Sequence, residues 1–106
     1  MELNDFITEI KENKILWLLE ARPGFFAMVE DNCENSYIPI WSKKQDAIDN
    51  ANDDWDGYDV TGMTIDEFVG WMNELHEDNI GIAISTGQPG QMLPIAAKDM
   101  KKFFAN

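Results

Sequence analysis

The residues whose types come closest to a chemical site are the oxygen-rich run Asn52-Asp53-Asp54-Trp55-Asp56-Gly57. A calcium loop takes oxygen ligands at its first, third and fifth positions and glycine at the sixth. Counting from Asn52, the third, fifth and sixth positions are Asp54, Asp56 and Gly57. The twelfth position should be a bidentate glutamate, and here it is Met63. Without its strongest ligand the run reads as a solvated helix end with turn formers, and no metal or other cofactor is expected. The same region also carries Asp46, Asp49 and Asp59. Crowded carboxylates repel one another, which costs stability at low salt. Their functional use would be recognition: Asp49, Asp53, Asp54, Asp56, Tyr58 and Asp59 are the candidate binding residues for a basic partner, with Tyr58 or Trp55 as aromatic anchor. The plainer account has both aromatics in the core and the acids facing water.

Catalytic constellations do not assemble. His76 stands among Glu74, Glu77 and Asp78, with no further nitrogen or sulfur ligand spaced for zinc. Near a helix C-terminus it favours the helix dipole. Cys33, the one cysteine, is flanked by Asp31 and Glu34, which disfavour its thiolate; a nucleophilic cysteine needs the opposite surroundings. Thr86-Gly87-Gln88-Pro89-Gly90 lacks the Gly-Lys-Ser/Thr ending of a phosphate loop and reads as a hairpin turn. Lys98, Lys101 and Lys102 form a small basic face late in the last helix, again suited to its dipole. With no nucleophile, base and orienting group together, the chain is not expected to be an enzyme.

Composition narrows the partner. The 106 residues carry 20 acids against 8 bases, a formal charge of −12, which repels nucleic acid and anionic membrane and admits a basic protein. Such acidity also keeps small proteins soluble. Four tryptophans, six phenylalanines and two tyrosines supply enough apolar surface for one core without disulfides. The acidic, amphipathic start MELNDFITEI is unlike a secretory signal, and no apolar run approaches the ~20 residues of a membrane span, so the cytoplasm is the expected location.

The elements that must position these residues follow from periodicity. Leu3, Phe6, Ile7 and Ile10 recur at helical spacing up to Asn13, a residue that tolerates the left-handed exit. Ile15 to Glu20 is a continuous apolar run suited to a strand covered on both faces. Ala21-Arg22-Pro23-Gly24 predicts a type II turn, Phe25 to Glu30 the returning strand, and Ser36 to Ile40 a third. Pro39 places the end of that strand at an edge or where pairing stops. Ser42-x-x-Gln45 has the form of a capping box opening a helix with a thin stripe of Ala47, Ile48, Ala51 and Trp55. Asp59 to Met63 reads as a strand weakened by Gly62, and Thr64-x-x-Glu67 as a second capping box. Ile65, Phe68, Val69, Trp71, Met72 and Leu75 then give the clearest helical stripe, ended by Asn79. Ile80 to Ser85 alternates large and small residues, so one face must meet a neighbour closely; Gln91 to Ile95 returns as a strand and Lys98 to Phe104 closes as a helix. The result is a single α+β domain, roughly αβββαβαββα, with one mixed or antiparallel sheet and helices packed on it.

Trp17, the hairpin, Pro39-Ile40-Trp41-Ser42, Ala47, Trp55, Tyr58, Ile65-x-x-Phe68-x-x-Trp71, Leu75, Asp78 and the Ile80 to Ile84 strand together resemble the domain of unknown function 2750 family over nearly the whole chain. The most specific part is PIWS-x4-A-x7-W-x2-Y. More distantly the block is similar to SseB-like domains, which are likewise non-enzymatic by their residues. The resemblance implies a fold and no activity. Two functions remain in view: a non-enzymatic interaction module for a protein partner, in its particular form immunity- or antitoxin-like, or a small-ligand or metal-binding domain using the loop from Asp53 to Asp59.

Overall fold

An apolar run without polar alternation needs cover on both faces, and within the strand Ile15–Arg22 that cover is received by Leu16, Leu18 and Leu19, all buried. The computed structural model describes residues 3–30, 33, 35–51, 55–85 and 92–104. In chain order the elements are α1 (Leu3–Asn13), β1 (Ile15–Arg22), β2 (Phe25–Phe26), β3 (Val29–Glu30), β4 (Ser36–Ile40), α2 (Lys44–Asn50), β5 (Asp59–Thr64), α3 (Ile65–Glu77), β6 (Ile80–Ser85), β7 (Met92–Ile95) and α4 (Ala97–Phe104). Leu16 and Leu18 of β1 face the main core, made with Phe6, Ile10, Ile38, Ile40, Phe68, Met72, Ile82, Ile84 and Met100. Leu19 faces the other way, into a smaller core with Ala27, Trp41 and Ala47, against which Trp17, Trp55, Tyr58 and Val60 pack. Side chains alternate across a strand, so β1 is the wall between two apolar compartments.

The strands form two sheets, one ordered β2-β1-β5 and one ordered β3-β4-β6-β7, in place of the single sheet expected. All pairings are antiparallel except β4 with β6, which run parallel and are therefore joined by a long crossover through α2, β5 and α3. A single antiparallel bridge, Trp17 with Trp41, links the sheets. The strand expected from Phe25 to Glu30 is the second link. Its first half pairs with β1 and its second half with β4, and the buried Ala27 between them donates its N–H to the Leu19 carbonyl at 2.8 Å. The chain thus changes sheets at Ala27 and Met28, and the expected three-strand meander becomes four short strands.

Local signals hold where nothing distant competes. Gly24 has φ +86°, as the type II turn requires, and donates its N–H to Glu20 Oε2 at 3.1 Å. Pairing between β3 and β4 ends at Tyr37, so Pro39 lies beyond it, where its missing N–H interrupts no ladder on that side. Asn79 adopts φ +60° after α3, whereas at the end of α1 the left-handed residue is Lys14 (φ +61°), one place beyond the expected Asn13. The Thr64 cap forms: Thr64 Oγ1 accepts from Glu67 N–H at 3.3 Å, and the Thr64 hydroxyl donates to Glu67 Oε1 at 3.0 Å. At the Ser42 box the N-cap falls one residue later than expected. Lys43 occupies the N-cap of α2 with no side-chain cap bond, and Ser42 is buried beside the bridging Trp41. Gln45 donates instead to Asp49 Oδ1 at 2.9 Å.

Gly62 shows how tightly β1 is covered. It stands opposite Trp17, and a Cβ there would lie 2.7 Å from Ile15 Cδ1 and 3.0 Å from the Trp17 ring. The glycine therefore makes room for two large side chains rather than merely weakening the strand. Two substitutions should separate these effects in urea denaturation. Gly62→Ala is expected to destabilise by at most about 1 kcal/mol, since the Ile15 methyl can swing off the added carbon while the Trp17 ring edge must give slightly. Gly70→Ala, exposed within α3 with nothing within 4 Å of the added carbon, is expected to stabilise by roughly 0.5–1 kcal/mol. Thr64→Ala should lose about 1 kcal/mol with the cap.

Candidate functional site

The acidic region is built by the end of α2 and the start of β5. Asp49, Asp56 and Asp59 are exposed, and Asp46 is half-buried. Asp53 and Asp54 lie outside the described residues, as does Asn52. Asp59 stands directly opposite Glu20 in the β1–β5 register, a pairing of like charges that costs stability. Glu20 is partly compensated: Oε1 accepts from Thr61 Oγ1 at 3.2 Å and Oε2 from Gly24 N–H. Gly57 takes φ +86° in the turn after Trp55, and Tyr58 N–H donates to the Trp55 carbonyl at 3.1 Å. Met63, at the twelfth position of the calcium-like count, lies in β5 and packs against the main core. That position is closed to a ligand.

Tyr58 and Trp55 are half-buried parts of the smaller core, as the plainer account expects. Trp55 meets Trp41 edge-on, with centroids 6.2 Å apart and planes at 82°. Trp41 is 1% exposed, and its Nε1 has no acceptor among the described residues. An orphaned donor costs about 1–3 kcal/mol. Burying an indole of 150–250 Å² contributes about 4–6 kcal/mol, more than such a donor costs. Ile48 departs from its expected place in the core: it is 44% exposed on α2, next to Asp49. A seven-residue helix turned by Ala47 toward the smaller core has no second apolar face to hide. The exposed α2 lysines are both engaged, Lys43 at 3.9 Å from Glu9 and Lys44 at 5.5 Å over the Trp17 ring.

A second place, which the sequence reading did not identify, lies at the opposite end of the parallel pair. A groove of about 390 Å³ opens where β4 and β6 begin, walled by the end of α3 and the start of α4. His76, Asn79, Ser36, Tyr37 and Lys98 line it, together with apolar Ile80 and Pro94. Its floor depends on Gly81, where a Cβ would fall 2.7 Å from the Tyr37 ring and 3.0 Å from the Ile95 carbonyl. The close approach expected from the large-small alternation of β6 is made there. The basic face of the last helix divides: Lys101 donates to Asn73 Oδ1 at 2.9 Å, Lys102 lies 3.8 Å from Asp99, and Lys98 turns to the groove. The only sequence signals were isolated polar residues in four separate segments.

Cys33 is exposed, while Asp31, Glu34 and the turn at 86–90 lie outside the described residues. Among the described residues, no three of His, Cys, Asp and Glu are grouped to hold a metal ion. Calcium titration of the whole chain, followed by tryptophan emission from Trp55 and Trp41, is expected to show no response. A saturable change at micromolar calcium would reinstate the loop as a site.

No helix among the described residues is long and apolar enough to cross a membrane. No curated protein and no solved structure matches the chain. The likeness to SseB-like domains thus finds no support among the comparisons, whereas the other resemblance does: residues 3–103 match the family described as "Protein of unknown function (DUF2750)". That match spans all four helices and both sheets apart from the last residue of α4, and the chain belongs to the DUF2750 family.

Proposed function

We propose that this domain is a non-enzymatic interaction module of the cytoplasm that binds a basic protein through its acidic surface. An immunity- or antitoxin-like role, in which the partner is a basic toxin, is the particular form of this reading. The observation that carries it is Ile48, a large apolar side chain 44% exposed beside Asp49 on α2. An apolar anchor with charges around it is the usual arrangement of a recognition surface: the anchor supplies affinity, and the charges supply on-rate and selectivity.

Two further features support it. Asp56 and Asp59 are exposed on the segment that follows α2, and the Asp59–Glu20 pairing holds like charges together that a cationic partner would relieve. The net charge of −12 steers basic partners over a distance and discourages nucleic acid and anionic membrane. Tyr58, half-buried, packs against the smaller core. Asp53 and Asp54 belong to the same reading by sequence. The alternative of a small-ligand or metal site in the loop from Asp53 to Asp59 is weaker, because Met63 occupies the position of its principal ligand.

The test is affinity capture from native lysate at low and high salt, with wild-type chain and the triple variant Asp49→Asn, Asp56→Asn, Asp59→Asn. The expected partner is a basic protein whose binding weakens with salt and falls at least about tenfold, or 1.4 kcal/mol, in the triple variant. Ile48→Ser should weaken it further without altering the salt dependence. Binding that ignores both salt and the triple substitution would sink the proposal.

A further inference from the structure

The groove at the head of the parallel strands has a chemistry opposite to that of the surface as a whole. Among the described residues no acid lines the groove; its titratable side chains are Lys98, His76 and Tyr37. The described acids nearest in sequence, Glu77, Asp78 and Asp99, are exposed and outside its lining, and Glu34, next to the lining residue Asn35, lies outside the described residues. Lys98 has no ion-pair partner among the described residues, unlike Lys102 on the same helix. A lysine held in a concave site without a carboxylate is a local positive field inside a negative one.

We propose that this groove binds a small organic anion, its phosphate or carboxylate held by Lys98 and His76 and its body resting on Tyr37 and Ile80. The volume of about 390 Å³ falls in the range of small-molecule sites, which combine an apolar lining with a few convergent polar groups. Asn79 and Ser36 add hydrogen-bonding capacity on two sides. The start of α4 contributes in the same sense. The amides of Asp99 and Met100 both donate to the Ala96 carbonyl at 3.0 Å, and Ala96 has no side-chain oxygen to cap the amides ahead of them. Gly81 is required beneath, since any side chain there would lift the Tyr37 ring from the floor. Conformational change is not needed, because the floor is sheet and the walls are helix ends. This site is separate from the acidic surface in position, in sign of charge and in ligand.

The experiment is an amide-resolved NMR titration of the ¹⁵N-labelled full chain, first with sodium phosphate and then with sodium acetate, at ionic strength held constant with sodium chloride. The expected result is a saturable shift confined to the amides of Ile80, Gly81, Ala97 and Lys98, with Kd on the order of 1–10 mM for at least one anion. Which anion saturates tells a phosphate site from a carboxylate site. In Lys98→Gln the affinity should fall at least about fivefold, and His76→Gln should lower it further. Lys102→Gln, which removes the same charge from the same helix, should leave it unchanged. Linear shifts in both arms, or equal losses in Lys98→Gln and Lys102→Gln, would overturn the proposal. Spectra of the variants away from the groove report directly that each remains folded, since both substituted lysines are exposed.

Discussion

Two backbone hydrogen bonds hold the halves of this fold in register: Trp17 N–H to the Trp41 carbonyl and Trp41 N–H to the Trp17 carbonyl, both 2.9 Å. Everything on the far side of β1 depends on them. They fix Trp41 at the end of β4, where its indole fills the smaller core and meets Trp55. They also fix where α2 can begin, since Lys44 follows only three residues later and its ammonium lies over the Trp17 ring. The second link, Ala27 N–H to the Leu19 carbonyl, closes the same compartment from the other edge. The smaller core is therefore not an appendage of the main one. It is the place where two sheets are made into one domain.

Much of the architecture was legible because it is local. The stripe of α3, its Thr64 cap and the turn at Gly24 are decided by residues within one or two turns of each other, and the chain folds as that pattern predicts. The apolar run of β1 also told the truth about its two-sided burial. What failed to show was whatever required a partner far along the chain. Ser42 has the right spacing to cap α2, but the residue before it is pinned by the bridge to Trp17, and the helix starts later. The strand through Ala27 looked continuous because nothing in Phe25 to Glu30 says that its two halves have different partners. Ile48 matched a helical stripe, yet a helix this short can bury only the residues nearest its contact, and Ala47 takes that place. The acidic rim was visible in composition. The groove was not, because Ser36, His76, Asn79 and Lys98 come together only when the parallel pair and both helix ends are in place.

The distribution of charge among the described residues is uneven. Carboxylates gather about the end of α2 and the start of β5, where Glu20 and Asp59 face each other across two strands. At the head of β4 and β6 the lining has none among the described residues. An evenly acidic coat would serve solubility alone, whereas an acidic coat with a recess free of described carboxylates would, on the two proposals made above, separate two kinds of recognition on one small domain. Macromolecular and small-molecule contacts would then occupy different ends of the fold and need not compete.

Gly62 has a meaning beyond the space it leaves. A strand with one apolar and one polar face has its pairing chosen by that contrast, because slipping by one residue would turn the polar side inward. β1 lacks the contrast: Leu16 and Leu18 face one compartment, Trp17 and Leu19 the other, and a slip would exchange one apolar set for another. Shape must then do what polarity does elsewhere. In the native alignment Trp17 lies opposite the only residue of β5 without a side chain; one step either way would set it against Thr61 or Met63. The glycine acts as a keyhole that accepts a single alignment, a device against misregistry written into the strand that borders both cores.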